Sequence, residues 1–289
     1  MDGDQHSYRD GFLTVADGLR LHYRDYQGSG ARPPILCLHG LTRNARDFAE
    51  FAERFSPRLR VIALDFRGRG ESDFDPLPAR YNPLTYAGDV QQLLDQLGIK
   101  QAIFVGTSLG GIVAMILATM APNRIAAAIL NDVGPELTDK GLERIKSYVG
   151  KDLRFTSWEQ AGAAIAENNA GLPASYSAAD WVTAARRACR EQDGEIRYDY
   201  DMAIANVFST VSAAPKYDMW PMFEALAQKP LLIVRGAESD LLAAEALERM
   251  MDRAPHAHSL VVPGAGHAPT LTEPDAISAI EAFLSEVAP

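Results

Sequence analysis

Six short, mostly apolar runs, each bounded by turn-forming residues, constrain the fold of this 289-residue chain more than any other feature. They are continuous rather than alternating, which is typical of strands buried on both faces of a parallel sheet. The runs are Ile35–Leu38, Val61–Leu64, Ala102–Val105, Ala127–Leu130, Leu231–Val234 and Ser259–Val262. Helical patterns lie between several of them, at Thr85–Leu97, Gly110–Met120 and Ala243–Asp252. We therefore predict an α/β fold with a mostly parallel, doubly wound sheet.

The N-terminal part of the chain has a different pattern. Residues 12–15 and 19–23 flank Asp17-Gly18, and Asp-Gly between alternating segments favours a primed hairpin turn. We expect an antiparallel hairpin to precede the parallel strands.

The strand pattern stops between residues 135 and 229, a segment called the insert below. Its patterns are helical, at Glu136–Val149, Ser157–Asn168, Ala178–Glu191 and Met202–Phe208. We predict that residues 1–134 and 230–289 form the core domain and that the insert forms a helical cap.

Charge and composition exclude several partners. Twenty-eight Lys and Arg against 38 Asp and Glu give a net charge of −10, which opposes binding to phosphate backbones. We expect neither nucleic acid nor a membrane as a partner, and a homo-oligomer is compatible with the sequence. The start of the chain lacks the pattern of a secretory signal, and Cys37 and Cys189 match no metal or redox spacing. We expect a cytoplasmic protein with reduced thiols, no metal and no cofactor.

A candidate nucleophile stands in Gly106-Thr107-Ser108-Leu109-Gly110. The segment follows one predicted strand and opens a predicted helix, the context in which G-x-S-x-G exposes a serine on a strained turn. At that position the backbone N–H of Leu109 can face a developing oxyanion. The sequence predicts Ser108 as the nucleophile.

The serine needs a base, and His267 is the best placed of the six histidines. It lies in a glycine-rich loop after the last strand, where functional groups of a doubly wound sheet collect. For the acid that orients it, Asp240 follows the strand Leu231–Val234 and keeps the chain order serine, acid, histidine. Asp132 and Glu238 remain alternatives.

These residues resemble the α/β-hydrolase fold superfamily, in its group of cap-bearing small-molecule hydrolases. The resemblance covers nearly the whole chain outside the insert and implies a triad of Ser108, Asp240 and His267. His39-Gly40 looks like the family's oxyanion turn, which implies Leu41 as one N–H donor and Leu109 as the second. The turn 65–72 looks architectural, with its two arginines serving the fold rather than a phosphate.

The resemblance implies a serine hydrolase that cleaves a small carboxylic ester or lactone through an acyl-enzyme. Serine in place of aspartate disfavours dehalogenase and epoxide hydrolase activity, and Leu41-Thr42-Arg43-Asn44 disfavours C–C bond hydrolysis without excluding it. Cofactor-free perhydrolases share the triad, and a non-catalytic ligand receptor on the same fold is the alternative from another class.

Two features of the sequence bear on the substrate. Aromatic side chains of the insert are candidates for lining an apolar pocket, although core packing is the commoner role of such residues: Tyr148, Trp158, Trp181, Tyr217 and Trp220. Arg43, beside the oxyanion turn, is a candidate partner for an acidic substrate group, although a solvated surface arginine is the commoner case.

Overall fold

The computed structural model describes residues 7–28, 32–169, 173–206, 208 and 218–288. Its centre is an eight-stranded sheet. The strands are β1 (Arg9–Thr14), β2 (Arg20–Tyr26), β3 (Ile35–Leu38), β4 (Val61–Leu64), β5 (Ala102–Thr107), β6 (Ile125–Asn131), β10 (Leu231–Gly236) and β11 (His258–Val262). Their order across the sheet is β1-β2-β4-β3-β5-β6-β10-β11.

The pairing confirms the predicted mixture of directions. β1 and β2 form an antiparallel hairpin, β2 is antiparallel to β4, and every pair from β4 to β11 is parallel. All four residues of β3 are buried, because Leu36 and Leu38 pack on one face while Ile35 and Cys37 pack on the other. A strand covered on both faces needs no polar alternation, which is why the continuous apolar runs identified the sheet.

Helices cover both faces of the sheet. They are α1 (Ala49–Phe55), α2 (Pro83–Gln96), α3 (Leu109–Met120), α4 (Asp139–Tyr148), α5 (Trp158–Asn168), α6 (Ala178–Ala188), α7 (Trp220–Leu226), α8 (Ala244–Arg253) and α9 (Pro274–Val287). Buried side chains of α1 and α9 pack on one face, and those of α2, α3 and α8 pack on the other. The sheet is thereby the middle of three layers, with the carboxyl ends of its parallel strands at one rim.

The insert is not purely helical, in contrast to the expectation from its pattern. Besides α4, α5, α6 and α7, it contains a three-stranded antiparallel sheet of order β7-β9-β8. These strands are β7 (Arg154–Phe155), β8 (Cys189–Gln192) and β9 (Glu195–Tyr198). The helix predicted over Ala178–Glu191 therefore ends at Ala188. In addition, α7 packs against α3, one of the helices that cover the eight-stranded sheet.

Cys37 and Cys189 are free and buried. In the described ranges, no helix has the length and apolar character needed to cross a membrane, and no three His, Cys, Asp or Glu side chains are grouped as metal ligands.

Candidate active site

Ser108 stands on a strained turn between β5 and α3. Its backbone has φ of 52° and ψ of −115°, a left-handed conformation that is rare for a residue with a side chain. The turn is too tight for side chains at its two glycines. A Cβ on Gly106 would lie 2.6 Å from the carbonyl carbon of Gly110, and a Cβ on Gly110 would overlap the carbonyl of Leu38. The two glycines therefore let β5, α3 and β3 approach closely. Ser108 lies at the rim of the sheet, where β5 ends and α3 begins.

His267 contacts Ser108, as the sequence predicts. The Nε2 atom lies 3.0 Å from the Ser108 Oγ, and the ring is nearly buried, with 9% of the side chain exposed. His267 follows β11 in the loop before α9. A histidine at this distance can accept the hydroxyl proton of the serine.

The acid beside His267 is Asp132, not Asp240. The Asp132 Oδ2 lies 2.7 Å from His267 Nδ1, and the carboxylate is completely buried. Its Oδ1 accepts the backbone N–H of Gly236 at 2.8 Å, and Oδ2 also accepts the Ser239 hydroxyl at 2.6 Å. An acceptor at Nδ1 holds the proton there and leaves Nε2 free to act as the base.

Asp240 has a different partner, so the expectation that it orients His267 is wrong. Its carboxylate is bound by Arg144 of α4, with Nε at 2.5 Å and an Nη at 2.8 Å. The hydrogen bond from Arg144 holds the pKa of Asp240 below its usual value. Glu238, the other alternative, is exposed.

The reason lies in the turn after β10. The Ser239 N–H donates to the Gly236 carbonyl at 3.0 Å, which directs the Ser239 side chain inward and leaves Asp240 to face α4. The spacing in the sequence carries a signal: Asp132 follows closely on the apolar run that ends at Leu130, whereas Asp240 lies well beyond the run that ends at Val234. In the structure, Asp132 comes directly after the last residue of β6, and β10 ends at Gly236. The chain order serine, acid, histidine fits both aspartates and could not separate them.

Of the predicted oxyanion donors, Leu109 follows Ser108 directly in the chain, and Leu41 lines the same cleft as Ser108. In the described part of the chain neither backbone N–H has an acceptor. A Cβ on Gly40 would lie 3.7 Å from the Ser108 Cβ, which places the oxyanion turn against the nucleophile. Both N–H groups are therefore available to an oxygen bound beside Ser108.

Two buried side chains hold that turn. His39 Nδ1 lies 2.7 Å from the Gly40 carbonyl, and His39 Nε2 accepts the N–H of Phe66 at 3.0 Å. Burial lowers the pKa of His39 to about 4, so this ring is neutral and positions the turn. Arg69 Nε donates to the Leu41 carbonyl at 2.9 Å.

The other arginine of the 65–72 turn is also structural. Arg67 is buried and ion-paired with three carboxylates, those of Asp17, Asp75 and Asp89. These carboxylates accept four hydrogen bonds from the buried guanidinium and surround it with negative charge, which disfavours a phosphate there and agrees with the architectural role that the resemblance implies.

Ser108 and His267 open into a cleft between the sheet rim and the insert. Its empty space, including the part that merges with bulk solvent, is about 1300 Å³. Of the aromatic side chains predicted to line a pocket, Tyr148 and Trp181 do so, together with Tyr176, Tyr198 and Tyr200. Hydroxyls, amides and the guanidinium of Arg43 give this wall a more polar character than the sequence suggested.

The other predicted aromatic residues lie elsewhere. Trp158 is covered by the Arg186 guanidinium at 4.5 Å, and Trp220 contacts Phe223 and donates to Glu136. Tyr217 is outside the described residues.

Comparison with known proteins agrees with the fold. Residues 35–280 match the Alpha/beta hydrolase family. A "3-hydroxybutyrate-oligomer hydrolase" of Cupriavidus necator is 34% identical, over 96% of this chain and 98% of that protein. A "2-(acetamidomethylene)succinate hydrolase" of Mesorhizobium japonicum is 30% identical, over 86% of this chain and 85% of that protein.

A solved structure gives the same result. An alpha/beta hydrolase from Novosphingobium aromaticivorans superposes with a TM-score of 0.93 at 46% identity, covering 97% of this chain and 99% of that one. The family match over residues 35–280 includes the strand–serine–helix turn and the histidine loop described above. This chain belongs to the alpha/beta hydrolase family.

Proposed function

We propose that this protein is a serine hydrolase that cleaves a small carboxylic ester through an acyl-enzyme, with Ser108 as nucleophile, His267 as base and Asp132 as the orienting acid. The observation that carries the proposal is the unbroken hydrogen-bonded path from Ser108 Oγ through both ring nitrogens of His267 to the buried Asp132 carboxylate. The path ends at the floor of an open cleft, where a carbonyl carbon can reach Ser108.

The reaction follows from this geometry. His267 Nε2 takes the Ser108 proton as Oγ bonds to the ester carbonyl carbon, and Asp132 stabilises the resulting imidazolium. The carbonyl oxygen becomes an oxyanion held by the N–H groups of Leu41 and Leu109, each worth about 3 kcal/mol in the transition state. The C–O bond then breaks, the alcohol leaves with the proton from His267, and water repeats the sequence to release the acid.

The proposed substrate is an ester of a short hydroxy acid. The relative of 34% identity that spans nearly the full chain is named a hydrolase of 3-hydroxybutyrate oligomers, and the relative of 30% identity is named for a succinate. Both names describe small, polar, acid-bearing molecules. A lactone presents the same carbonyl chemistry and is included in the proposal.

Replacing the nucleophile tests the proposal. Ser108→Ala should lower kcat for a 3-hydroxybutyrate dimer by at least about 10⁴-fold, because only binding and oxyanion effects survive. Ser285→Ala, an exposed serine of α9, is the matched control and should leave kcat unchanged. Activity of Ser108→Ala within tenfold of the unmodified enzyme would refute the assignment.

A fluorophosphonate probe and a substrate panel separate the alternatives. The probe should add covalently to Ser108 and not to the Ser108→Ala variant; absence of an adduct would favour a ligand receptor. The panel should contain esters, lactones, a vinylogous diketone and a peracid-forming assay. Faster turnover of the diketone, or of the peracid reaction, than of every ester would replace the proposal by C–C hydrolysis or perhydrolysis.

A further inference from the structure

Arg43 lies close to the nucleophile but has no part in the reaction described above. The Cβ position of Gly40 would be 3.5 Å from the Arg43 Cγ and 3.7 Å from the Ser108 Cβ. The stem of Arg43 and the nucleophile therefore share one wall of the cleft. The sequence suggested a solvated surface arginine, yet only 28% of this side chain is exposed.

One edge of the Arg43 guanidinium is held rigidly. Its Nε and Nη2 each donate to an oxygen of Asp47 at 2.7 Å, a bidentate geometry that fixes the plane of the group. Nη1 has no acceptor in the described part of the chain, and Arg43 lines the cleft. The edge formed by Nη1 and Nη2 is thus left for a ligand.

Arg43 and Asp47 are both charged at neutral pH, because each raises the stability of the other's charged form. Burial opposes the charge on Asp47, but Arg43 outweighs it and holds the Asp47 pKa below its usual value. Burial likewise opposes the charge on Arg43, and Asp47 outweighs it and raises the pKa of Arg43. Asp47 cancels the net charge of the pair but occupies only two donors, and a guanidinium carries five.

The other arginine that lines the described part of the cleft has its own carboxylate partner. Arg187 of α6 is ion-paired with Glu50, an exposed residue, and its backbone carbonyl accepts hydrogen bonds from Asn44 and Arg46. Arg43 is the arginine whose stem packs against the same glycine as the nucleophile, and its guanidinium is held in a fixed plane by Asp47.

We infer that Arg43 binds a carboxylate carried by the substrate, so that the preferred esters have a free acid group a few bonds from the scissile carbonyl. A planar guanidinium edge and a planar carboxylate form two parallel hydrogen bonds. Asp47 has the role of a positioning residue, because it holds the guanidinium in the plane that the carboxylate meets. The inference rests on the proposed ester hydrolysis at Ser108.

A pair of substrates that differ only in the acid group tests this inference. The probes are the linear dimer of 3-hydroxybutyrate and its methyl ester, in which the terminal carboxylate is blocked. Arg43→Gln should raise KM for the free acid by about tenfold or more, consistent with loss of charge-assisted hydrogen bonds, and should leave kcat/KM for the methyl ester within about threefold. Arg43→Lys keeps the charge but not the paired donors, so it should restore only part of the lost kcat/KM.

A distant charge change is the control. Arg54→Gln removes an exposed arginine that pairs with Glu281 on the surface, and it should leave the ratio of kcat/KM for the two substrates unchanged. An equal loss for both substrates in Arg43→Gln would show a merely structural role and overturn the inference. If no ester in the panel is hydrolysed by the unmodified enzyme, the proposed function fails instead, and the two failures are thus distinguishable.

Discussion

The assignment of Asp132 as the acid leads to a sharp prediction, because a second aspartate, Asp240, lies close by with a different partner. Asp132 accepts three hydrogen bonds, from His267, Ser239 and Gly236. Asp132→Ala removes the acceptor that fixes the His267 tautomer and stabilises the imidazolium. We expect kcat to fall by about 10⁴-fold, or about 5 kcal/mol of transition-state stabilisation.

The same substitution at Asp240 should have a different effect. Asp240→Ala removes the ion pair with Arg144, but it leaves the hydrogen-bonded path from Ser108 through His267 to Asp132 in place. We expect kcat within tenfold of the unmodified enzyme. Steady-state kinetics on the 3-hydroxybutyrate dimer, with circular dichroism to verify folding, provides the comparison.

A second variant protects the comparison against loss of the fold, since Asp132→Ala also leaves buried donors without partners. Asp132→Asn keeps the volume, but an amide cannot accept from all three donors and carries no charge. We expect kcat to fall at least tenfold in a protein that unfolds at a similar urea concentration. The reasoning is refuted if Asp240→Ala loses more kcat than both Asp132 variants.

Three further predictions concern the supports of the site. Ser239→Ala should lower kcat, because it removes one of the donors that hold the Asp132 carboxylate against His267; Ser239→Thr keeps a hydroxyl and should restore kcat, and an unchanged kcat in Ser239→Ala would leave Ser239 as loop structure alone. Gly110→Ala should destabilise the fold by more than about 3 kcal/mol in urea unfolding, since its Cβ overlaps a carbonyl; a soluble variant of normal stability would contradict the close approach. Burial lowers the pKa of His39 to about 4 in the folded protein, whereas the unfolded chain keeps the ordinary value of about 6.5. Between these two pH values the unfolded chain binds one more proton, so the free energy of unfolding decreases as the pH is lowered, by up to about 3 kcal/mol. His39→Gln should flatten this part of the curve of unfolding free energy against pH.

The sheet was predictable because its signal is local and strong. A strand buried on both faces must be apolar at every position, and the runs at residues 35–38 and 61–64 coincide with β3 and β4 to the residue. The serine turn was predictable for a related reason. Gly106 is required by a contact with Gly110 a few residues later, so the motif is local, although Gly110 is also required by the Leu38 carbonyl of β3.

The small sheet of the insert was missed although its signal is present in the sequence. Asp193-Gly194 joins β8 to β9, and both residues have positive φ, 56° and 79°, as a primed hairpin turn requires. The same dipeptide identified the N-terminal hairpin at residues 17–18. In the insert, the helical pattern of α6 continues in the sequence through Glu191, so it conceals the start of β8 at Cys189.

The choice of acid depended on information that residue type and chain order do not contain. Neighbouring side chains in the loop after β10 point in opposite directions, so Ser239 reaches Asp132 while Asp240 reaches Arg144. Two backbone N–H groups, of Leu241 and Leu242, donate to Ser239 Oγ at 3.2 and 3.1 Å, which leaves its proton for Asp132. Adjacent residues of this loop therefore have different roles. Ser239 holds the buried Asp132 carboxylate, and Asp240 binds Arg144 of α4 and so connects the insert to the loop after β10. A carboxylate that follows a strand can hold the histidine only where the local backbone directs its side chain towards the ring. In the loop after β10, the side chain directed towards the site is that of Ser239, and Asp240 faces Arg144 instead.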